Sequence, residues 1–205
     1  MLARMTLGSN REVDCAGCVS SVRCWGEPVA HGAGFVVRRI RPLEPGEVLF
    51  QEGAPFDGPC VVTSGCVSVT QLHDNGVERI VAFRVPGEIL GLESCNRPVY
   101  RYGAQAVSSA TVCRLRWTAG GIQARGAPWL RALLVKASDQ MESAAPPWAA
   151  LASVERVSAF VEDFERRTDQ PLPMTRAHIG RYLGLAEETV VRAFAELRRA
   201  GVRKS

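Results

Sequence analysis

Short apolar runs separated by glycine dominate residues 36–117 and predict β-strands. Between two of these runs, Asp74-Asn75-Gly76 is a strong hairpin signal, because Asn-Gly readily takes the positive φ of a tight turn. Strands this closely spaced predict an antiparallel barrel or roll over residues 36–126. The six runs are VLFQEG (48–53), CVVTSG (60–65), CVSVTQLH (66–73), VERIVAFRV (77–85), AQAVSS (104–109) and TVCRLRW (111–117).

The pattern changes to helical spacing after the predicted roll. Pro128 suits the first turn of a helix, and Pro146-Pro147 ends it. We therefore predict a helix over 127–146 that pairs with its copy in a homodimer, although a helix packed on its own roll would show the same spacing. Its apolar residues recur at intervals of four and three: Leu130, Leu134, Ala137, Met141 and Ala144.

The remaining residues, 147–205, predict three helices. The first spans roughly 150–167 and has one apolar face: Val154, Val157, Phe160, Val161 and Phe164. Two short helices follow, separated by a turn in which Gly184 supplies a positive φ, and Gly180 leaves room for the helices to cross. This is the pattern of a helix-turn-helix, whose second helix enters the DNA major groove. Its predicted shared core is Ile179, Leu183, Leu185, Val190 and Ala193.

The second short helix carries candidate base-reading residues near its start. Arg192 can donate two hydrogen bonds to guanine and Glu188 can accept one from cytosine, with Thr189 beside them. Arg176 and Arg181 are predicted phosphate contacts. A plainer interpretation remains open, because Glu188 and Arg192 lie four residues apart and could pair with each other on a solvated face.

The charge distribution favours a nucleic-acid partner. The net charge is +4, and from Leu172 onward there are seven basic and three acidic residues, which leaves eighteen of each in the first 171. With 46% hydrophobic and 22% charged residues, no long apolar stretch and no secretion signal, the chain is predicted to be cytoplasmic. The three histidines are scattered and no convergent acid–base set is evident, so an enzyme is not expected; a redox or metal-transfer enzyme using the cysteines is the rival.

Seven cysteines in a reducing compartment favour metal binding or redox sensing over disulfides. Cys15, Cys18 and Cys24 lie within the irregular segment 1–35, and such thiolates are soft ligands for an iron–sulfur cluster or zinc. Strand alternation places Cys113 on one face with Thr111 and Leu115, opposite Arg114 and Arg116, which makes it the predicted fourth ligand. Cys95 is the alternative fourth ligand, whereas Cys60 and Cys66 have no predicted role.

Two stretches together resemble the Crp–Fnr family of bacterial transcription regulators. MTRAHIGRYLGLAEETVVRAF resembles its DNA-binding segment, and EPGEVLFQEG, VVTSGCVSV and VPGEILGLES resemble its cyclic-nucleotide-binding-type β-roll. The likeness covers residues 42–201 and implies an α+β fold: a roll, a long dimerisation helix and a winged helix-turn-helix, whose wing is expected to be truncated after Gly201. The C-x2-C-x5-C spacing with a late cysteine is similar to the Fnr-type branch, which implies a 4Fe-4S cluster on Cys15, Cys18, Cys24 and Cys113.

The resemblance also implies a mechanism and partners. It implies a homodimer on a palindromic DNA operator, an activator with RNA polymerase as a partner, and release of DNA when oxygen or nitric oxide destroys the cluster. Sensing by thiol oxidation or another ligand, and a remnant with impaired DNA binding, are the alternatives.

Departures from the family pattern bear on both the reader and the sensor. Val191 replaces a usual Ser and can touch a thymine methyl group, and Ala186 replaces the usual helix cap. The segment between Cys24 and the roll is shorter than expected. No Arg-Ser or Arg-Thr pair follows Gly91, so no cyclic nucleotide is expected.

Overall fold

The strands of the N-terminal half form a two-layered β-roll. The computed structural model describes residues 11–13, 15, 24, 35–74, 76–117 and 150–201. Within these ranges the strands are β1 (Arg11–Glu12), β2 (Phe35–Arg39), β3 (Val48–Phe50), β4 (Cys60–Ser64), β5 (Val67–Leu72), β6 (Glu78–Arg84), β7 (Ile89–Leu90), β8 (Gly103–Ala106) and β9 (Thr111–Trp117). All their pairings are antiparallel, as the spacing of the runs predicts.

Two sheets make up the roll. One has the strand order β1-β2-β9-β4-β7 and the other β3-β8-β5-β6. Each strand turns alternate side chains toward the opposite sheet, and these form a buried core that includes Cys60, Val62, Val67, Ala104 and Val112. Each of the six predicted runs overlaps a strand, whereas β1, β2 and β7 lie outside them.

The predicted hairpin lies between β5 and β6. The amide of His73 donates to the carbonyl of Val77 at 3.0 Å, and the amide of Gly76 donates back to the carbonyl of His73 at 2.8 Å. Gly76 has a φ of 79°, which is the left-handed conformation that glycine adopts without strain. The turn sequence therefore sets the register next to the hairpin, and the register shifts farther along the pair, between Val69 and Thr70.

Three helices follow in the described C-terminal part: α1 (Ser153–Arg167), α2 (Arg176–Leu183) and α3 (Glu187–Arg199). The predicted apolar face of α1 is buried, with Val154 at its edge, and the predicted helix-turn-helix core is buried as well, with Leu185 partly covered. The start of α1 is set by Glu155, whose carboxylate accepts from the amide of Ala152 at 3.2 Å.

The helices pack against the roll through an aromatic junction. Phe83 of β6 contacts Phe160 of α1, with ring centroids 5.9 Å apart, and Tyr182 of α2, at 5.3 Å. Cys66, Ile80 and Val85 of the roll belong to the same buried core as the helices. One part of the roll and the helices thus share an apolar core, which is separate from the core between the two sheets.

Some predicted features lie outside the described residues. The dimerisation helix over 127–146, with Leu130, Leu134, Ala137 and Met141, is one, and Cys18 is another. In the ranges that are described, no helix is long and apolar enough to cross a membrane.

Candidate DNA-reading surface and thiol core

Helices α2 and α3, residues 176–199, form the unit called the DNA reader below. Thr175 caps α2: its hydroxyl accepts from the amide of His178 at 3.2 Å, and Nδ1 of His178 accepts from the amide of Thr175 at 3.4 Å. Burial, followed by the charge of Arg181, lowers the pKa of His178, which favours the neutral imidazole that this second bond needs. The position at which α2 begins is therefore determined by Thr175 and His178, two residues three positions apart.

The turn of the reader depends on two glycines. Gly184 ends α2 with a φ of 69°, as predicted from its position. A Cβ atom at Gly180 would lie 2.6 Å from the carbonyl oxygen of Leu185. Because Gly180 has no side chain, the backbone at Leu185, which leads into α3, can pack directly against α2.

Replacing Gly180 by alanine should destabilise the reader. Glycine to alanine inside a helix normally stabilises by about 0.5–1 kcal/mol, but here the new methyl group would meet a backbone oxygen that cannot move independently. We expect a net loss of roughly 1–3 kcal/mol in the free energy of unfolding, measured by urea denaturation. Glu196→Ala on the exposed face of α3 is the control and should change this energy by less than about 0.5 kcal/mol. A stabilised Gly180→Ala variant would contradict the close approach.

The candidate base-reading side chains lie on the outer face of α3. Glu188, Val191 and Arg192 are exposed and Thr189 is half-buried. In the described part of the chain no ion pair joins Glu188 to Arg192; instead a guanidinium nitrogen of Arg192 lies 3.4 Å from the hydroxyl of Thr189. The plainer interpretation, a Glu188–Arg192 pair, is not what the structure forms, and both groups face solvent.

The two predicted phosphate contacts differ in their surroundings. The guanidinium of Arg176 lies over the ring of Phe194, 3.4 Å from its centroid, which holds the side chain at the helix surface. Arg181 pairs with Glu78 of β6 at 3.1 Å. Because both partners of this second pair are more than 40% exposed, the pair is weak and Arg181 could exchange it for a phosphate at little cost.

Helix α3 begins without a side-chain cap, as the sequence predicts. Ala186 occupies the cap position and offers no hydrogen bond, while Glu187 and Glu188 lie in the first turn. Carboxylates there interact favourably with the positive end of the helix dipole. Glu188 is therefore favourable for the helix dipole at the same end of α3 that would contact the bases.

A second group of candidate residues lies on the outer face of the first sheet. Val61 of β4 is directly opposite both Cys113 of β9 and Ile89 of β7, so these three side chains share a face. This face looks away from the core between the sheets. Its buried group, called the thiol core below, comprises Cys15, Val37, Val61, Ile89, Cys113 and Leu115, with Val13, Cys24 and Leu92 packed against it.

The N-terminal segment reaches the thiol core through a strand. Residues 11 and 12 pair with Arg39 and Arg38 of β2, and the amide of Val13 donates to the carbonyl of Val37 at 3.1 Å. Cys15 follows two residues later and is 9% exposed, and Cys113 is 6% exposed. Strand β1 was not predicted, because two residues carry no periodicity.

Three of the four predicted ligands therefore lie in one place. Cys15, Cys24 and Cys113 belong to or border the thiol core, and Cys18 lies outside the described residues. The donor chemistry fits an iron–sulfur cluster, which four thiolates hold. Within the described ranges, however, no three His, Cys, Asp or Glu side chains are arranged to bind a metal ion.

The other cysteines have different surroundings. Cys95, the alternative ligand, is exposed at the end of a short helix, Leu92–Ser94, and lies outside the thiol core. Burial raises the pKa of the Cys66 thiol to about 12, and burial also raises the pKa of Cys60.

Comparisons with known proteins support these assignments of fold. A model of the cyclic nucleotide-binding domain matches residues 40–119, and a model of the Crp-like helix-turn-helix domain matches residues 155–204. Over 179 residues the chain is 31% identical to transcriptional activator protein anr of Pseudomonas aeruginosa, which covers 82% of this chain and 73% of that one. The chain belongs to the Crp/Fnr family of transcription regulators.

Other members of the Crp/Fnr family agree with this assignment. The structure of FixK2 from Bradyrhizobium japonicum superposes with a TM-score of 0.70 at 30% identity, covering 83% of this chain and 88% of that one. The anaerobic regulatory protein of Haemophilus influenzae is 27% identical over 179 residues, 82% of this chain and 70% of that one. As a member of this family the chain is a DNA-binding transcription regulator, not an enzyme.

The structure also shows an arrangement that the sequence did not predict. Arg167, the last residue of α1, binds Glu88 in the turn between β6 and β7. The i,i+4 spacing of Asp163 and Arg167 was a visible signal for the local half of this network. The other half joins Arg167 to Glu88, which are 79 positions apart in the sequence, and could be recognised only once the fold was known.

Proposed function

We propose that this regulator responds to oxygen or nitric oxide through a 4Fe-4S cluster held by Cys15, Cys18, Cys24 and Cys113. The observation that carries the proposal is the common location of the three described thiols in the thiol core. Apolar walls around Cys113 would keep water away from the site. Similarity to the anaerobic regulatory protein of Haemophilus influenzae supports the choice of signal.

The cluster, when bound, would supply an oxygen-labile cross-link between the N-terminal segment and β9. The chain's own residues do the rest. Cys113 is fixed by its pairing with β2 and β4, while Cys15 and Cys24 belong to the connection between strands β1 and β2. With the cluster in place, we propose that the chain forms a homodimer through residues 127–146.

The dimer would present two copies of α3 to a palindromic operator, in successive major grooves one helical turn apart. Arg192 and Glu188 would contact bases, with Thr189 and Val191 beside them. Arg176 and Arg181 would contact phosphates. Without the cluster, the dimer formed by residues 127–146 would weaken and α3 would leave the DNA. RNA polymerase is the proposed partner of the DNA-bound form. The roll lacks an Arg-Ser or Arg-Thr pair after Gly91, and we propose no cyclic nucleotide ligand.

Metal analysis of protein purified without air tests this proposal. We expect a coloured protein with about four iron and four acid-labile sulfide per chain, and loss of most of both in Cys113→Ser. Cys95→Ser is the matched control, since it removes the exposed rival ligand and should keep the cluster. A Cys95→Ser variant that loses iron while Cys113→Ser keeps it would reassign the fourth ligand. A colourless wild-type protein without iron would refute the sensing mechanism and leave DNA binding intact.

A further inference from the structure

A buried ion-pair network joins the last turn of α1 to the roll. Nε and Nη2 of Arg167 donate to the two carboxylate oxygens of Glu88, both at 2.8 Å. Nη2 also donates to the carbonyl of Phe83 at 2.6 Å, and Nη1 donates to Asp163 at 3.0 Å. The planar guanidinium matches the carboxylate in a forked geometry that lysine cannot reproduce.

The charged groups of this network are well shielded from solvent. The side chains of Arg167 and Glu88 are each 19% exposed and that of Asp163 is 10% exposed. Burial alone lowers the pKa of Arg167, but the hydrogen bond and charge of Glu88, and then those of Asp163, outweigh it and raise that pKa. Among the described residues, removing Arg167 would leave Glu88 with only Arg84, at 4.0 Å, and Asp163 with only the exposed Arg166, and a poorly compensated buried charge is unfavourable.

Glu88 is itself held firmly at the edge of the first sheet. Its carboxylate accepts from the amide of Val85 at 3.3 Å, and this closes the turn that contains Pro86 and Gly87. Its carbonyl accepts from the amide of Val62 at 2.9 Å, and the amide of Gly87 donates to the carbonyl of Val62 at 2.8 Å. These two hydrogen bonds tie the turn to β4.

The next residue in the chain belongs to the thiol core. Ile89 is 1% exposed and, through Val61, shares a face with Cys113. One peptide bond therefore separates a side chain packed in the thiol core from the carboxylate that binds Arg167. A change in the packing around Cys113 would reach Glu88 without passing through another chain.

At its other end α1 holds the reader. Nη1 of Arg156 donates to the carbonyl of Leu183 at 3.1 Å, at the C-terminal end of α2. Arg156 and Arg167 are eleven residues apart, or about 16 Å along a helix. Helix α1 thus runs as a rigid connection from the Glu88 turn to the turn of the reader.

We propose that Arg167 is a positioning residue of the DNA reader, which couples its orientation to the thiol core through Glu88 and Ile89. The positioning role stands on the contacts alone, whereas the response to oxygen rests on the proposed function. This route lies within one chain and adds to any coupling through a dimer interface. By linkage, a change at either end must affect the other.

Hydrogen–deuterium exchange on cluster-free protein tests the positioning role. Arg167→Gln should accelerate exchange at residues 85–90 and also across α3, to which no hydrogen bond or ion pair of Arg167 runs among the described residues. Arg166→Gln is the matched control, because Arg166 binds Asp163 from an exposed position and makes no contact with Glu88 in the described structure. If only the last turn of α1 exchanges faster in Arg167→Gln, the proposal is wrong. Arg167→Lys keeps the positive charge but cannot form the two parallel hydrogen bonds to Glu88, and it replaces Arg167→Gln in this experiment if the glutamine variant does not fold.

DNA affinity measured before and after air exposure tests the coupling. Coupling between sites typically changes affinity by roughly 5- to 150-fold. We expect the ratio of the Kd after air exposure to the Kd before it to differ from one in the wild type and in Arg166→Gln. In Arg167→Gln this ratio should be close to one. An equal loss of affinity in both states, with an unchanged ratio, would show a merely structural role and overturn the coupling. If wild-type protein holds no cluster, the proposed sensing fails, and the exchange experiment still decides the positioning role.

Discussion

Arg192→Ala is expected to weaken sequence-specific DNA binding at least roughly thirtyfold while leaving the fold intact. Its guanidinium is exposed on α3 and pairs with no acid among the described residues, so its removal should not destabilise the reader. A good bidentate contact to a base is worth about 1–3 kcal/mol. Because a palindrome has two half-sites, the variant loses two such contacts, or at least about 2 kcal/mol, and Kd should rise at least roughly thirtyfold. Titration of DNA selected from a random pool by the wild-type protein measures it.

The control for this experiment separates base reading from simple charge. Arg198 lies exposed in the last turn of the same helix, so Arg198→Ala removes an equal charge far from the N-terminal end that would enter the groove. We expect it to weaken binding to all sequences similarly and by a few-fold at most, mainly through the salt-dependent part. Equal losses for Arg192→Ala and Arg198→Ala, on selected and scrambled DNA alike, would mean that Arg192 does not read a base.

Phe160→Ala is expected to destabilise the protein more than any of the other substitutions. Phe160 is 1% exposed and touches three other rings: Phe83 of the roll, Phe164 of its own helix and Tyr182 of the reader, with centroids 5.9, 6.4 and 5.4 Å away. Removing a buried phenylalanine costs about 3–5 kcal/mol. Since a typical protein is stable by only about 5–15 kcal/mol, the junction between roll and helices should be loosened severely.

Urea denaturation followed by circular dichroism checks this value. Leu151→Ala is the control, because this side chain is 37% exposed and the substitution keeps the backbone carbonyl that accepts from Arg156. It should cost less than about 1 kcal/mol. A similarly small loss for Phe160→Ala would show that neighbouring side chains refill the space, and that the aromatic junction contributes little to the union of roll and reader.

Features decided by a few neighbouring residues could be predicted from the sequence. The hairpin at Gly76, the turn at Gly184 and the uncapped start of α3 at Ala186 each follow from the conformational preference of one residue. The alternation in β9, which puts Cys113 and Leu115 in the thiol core and Val112 in the core between the sheets, follows from the pleat. Amphipathic spacing likewise predicted the buried face of α1.

Features that depend on distant partners could not be predicted. Strand β2 reads FVVRR and β7 is only Ile89–Leu90, so neither has a pattern distinct from a loop. Their strand form comes from pairing with β9 and β4. The pair of Arg167 and Glu88 arises in the same way, because a charged residue in a sequence gives no sign of which opposite charge the fold will bring to it.

The pairing of β1 with β2 has a consequence for the assembly of the thiol ligands. Residues 13–34 connect two paired strands of the sheet that also carries Cys113. Bringing the two ends of a flexible connection of this length together costs about 3 kcal/mol of chain entropy. The hydrogen bonds between β1 and β2 offset this cost without any bound metal. Cys15 and Cys24 are then held near Cys113, and groups joined by a short tether have a local concentration in roughly the millimolar range. A chain lacking residues 1–13 would keep every cysteine and yet lose this advantage.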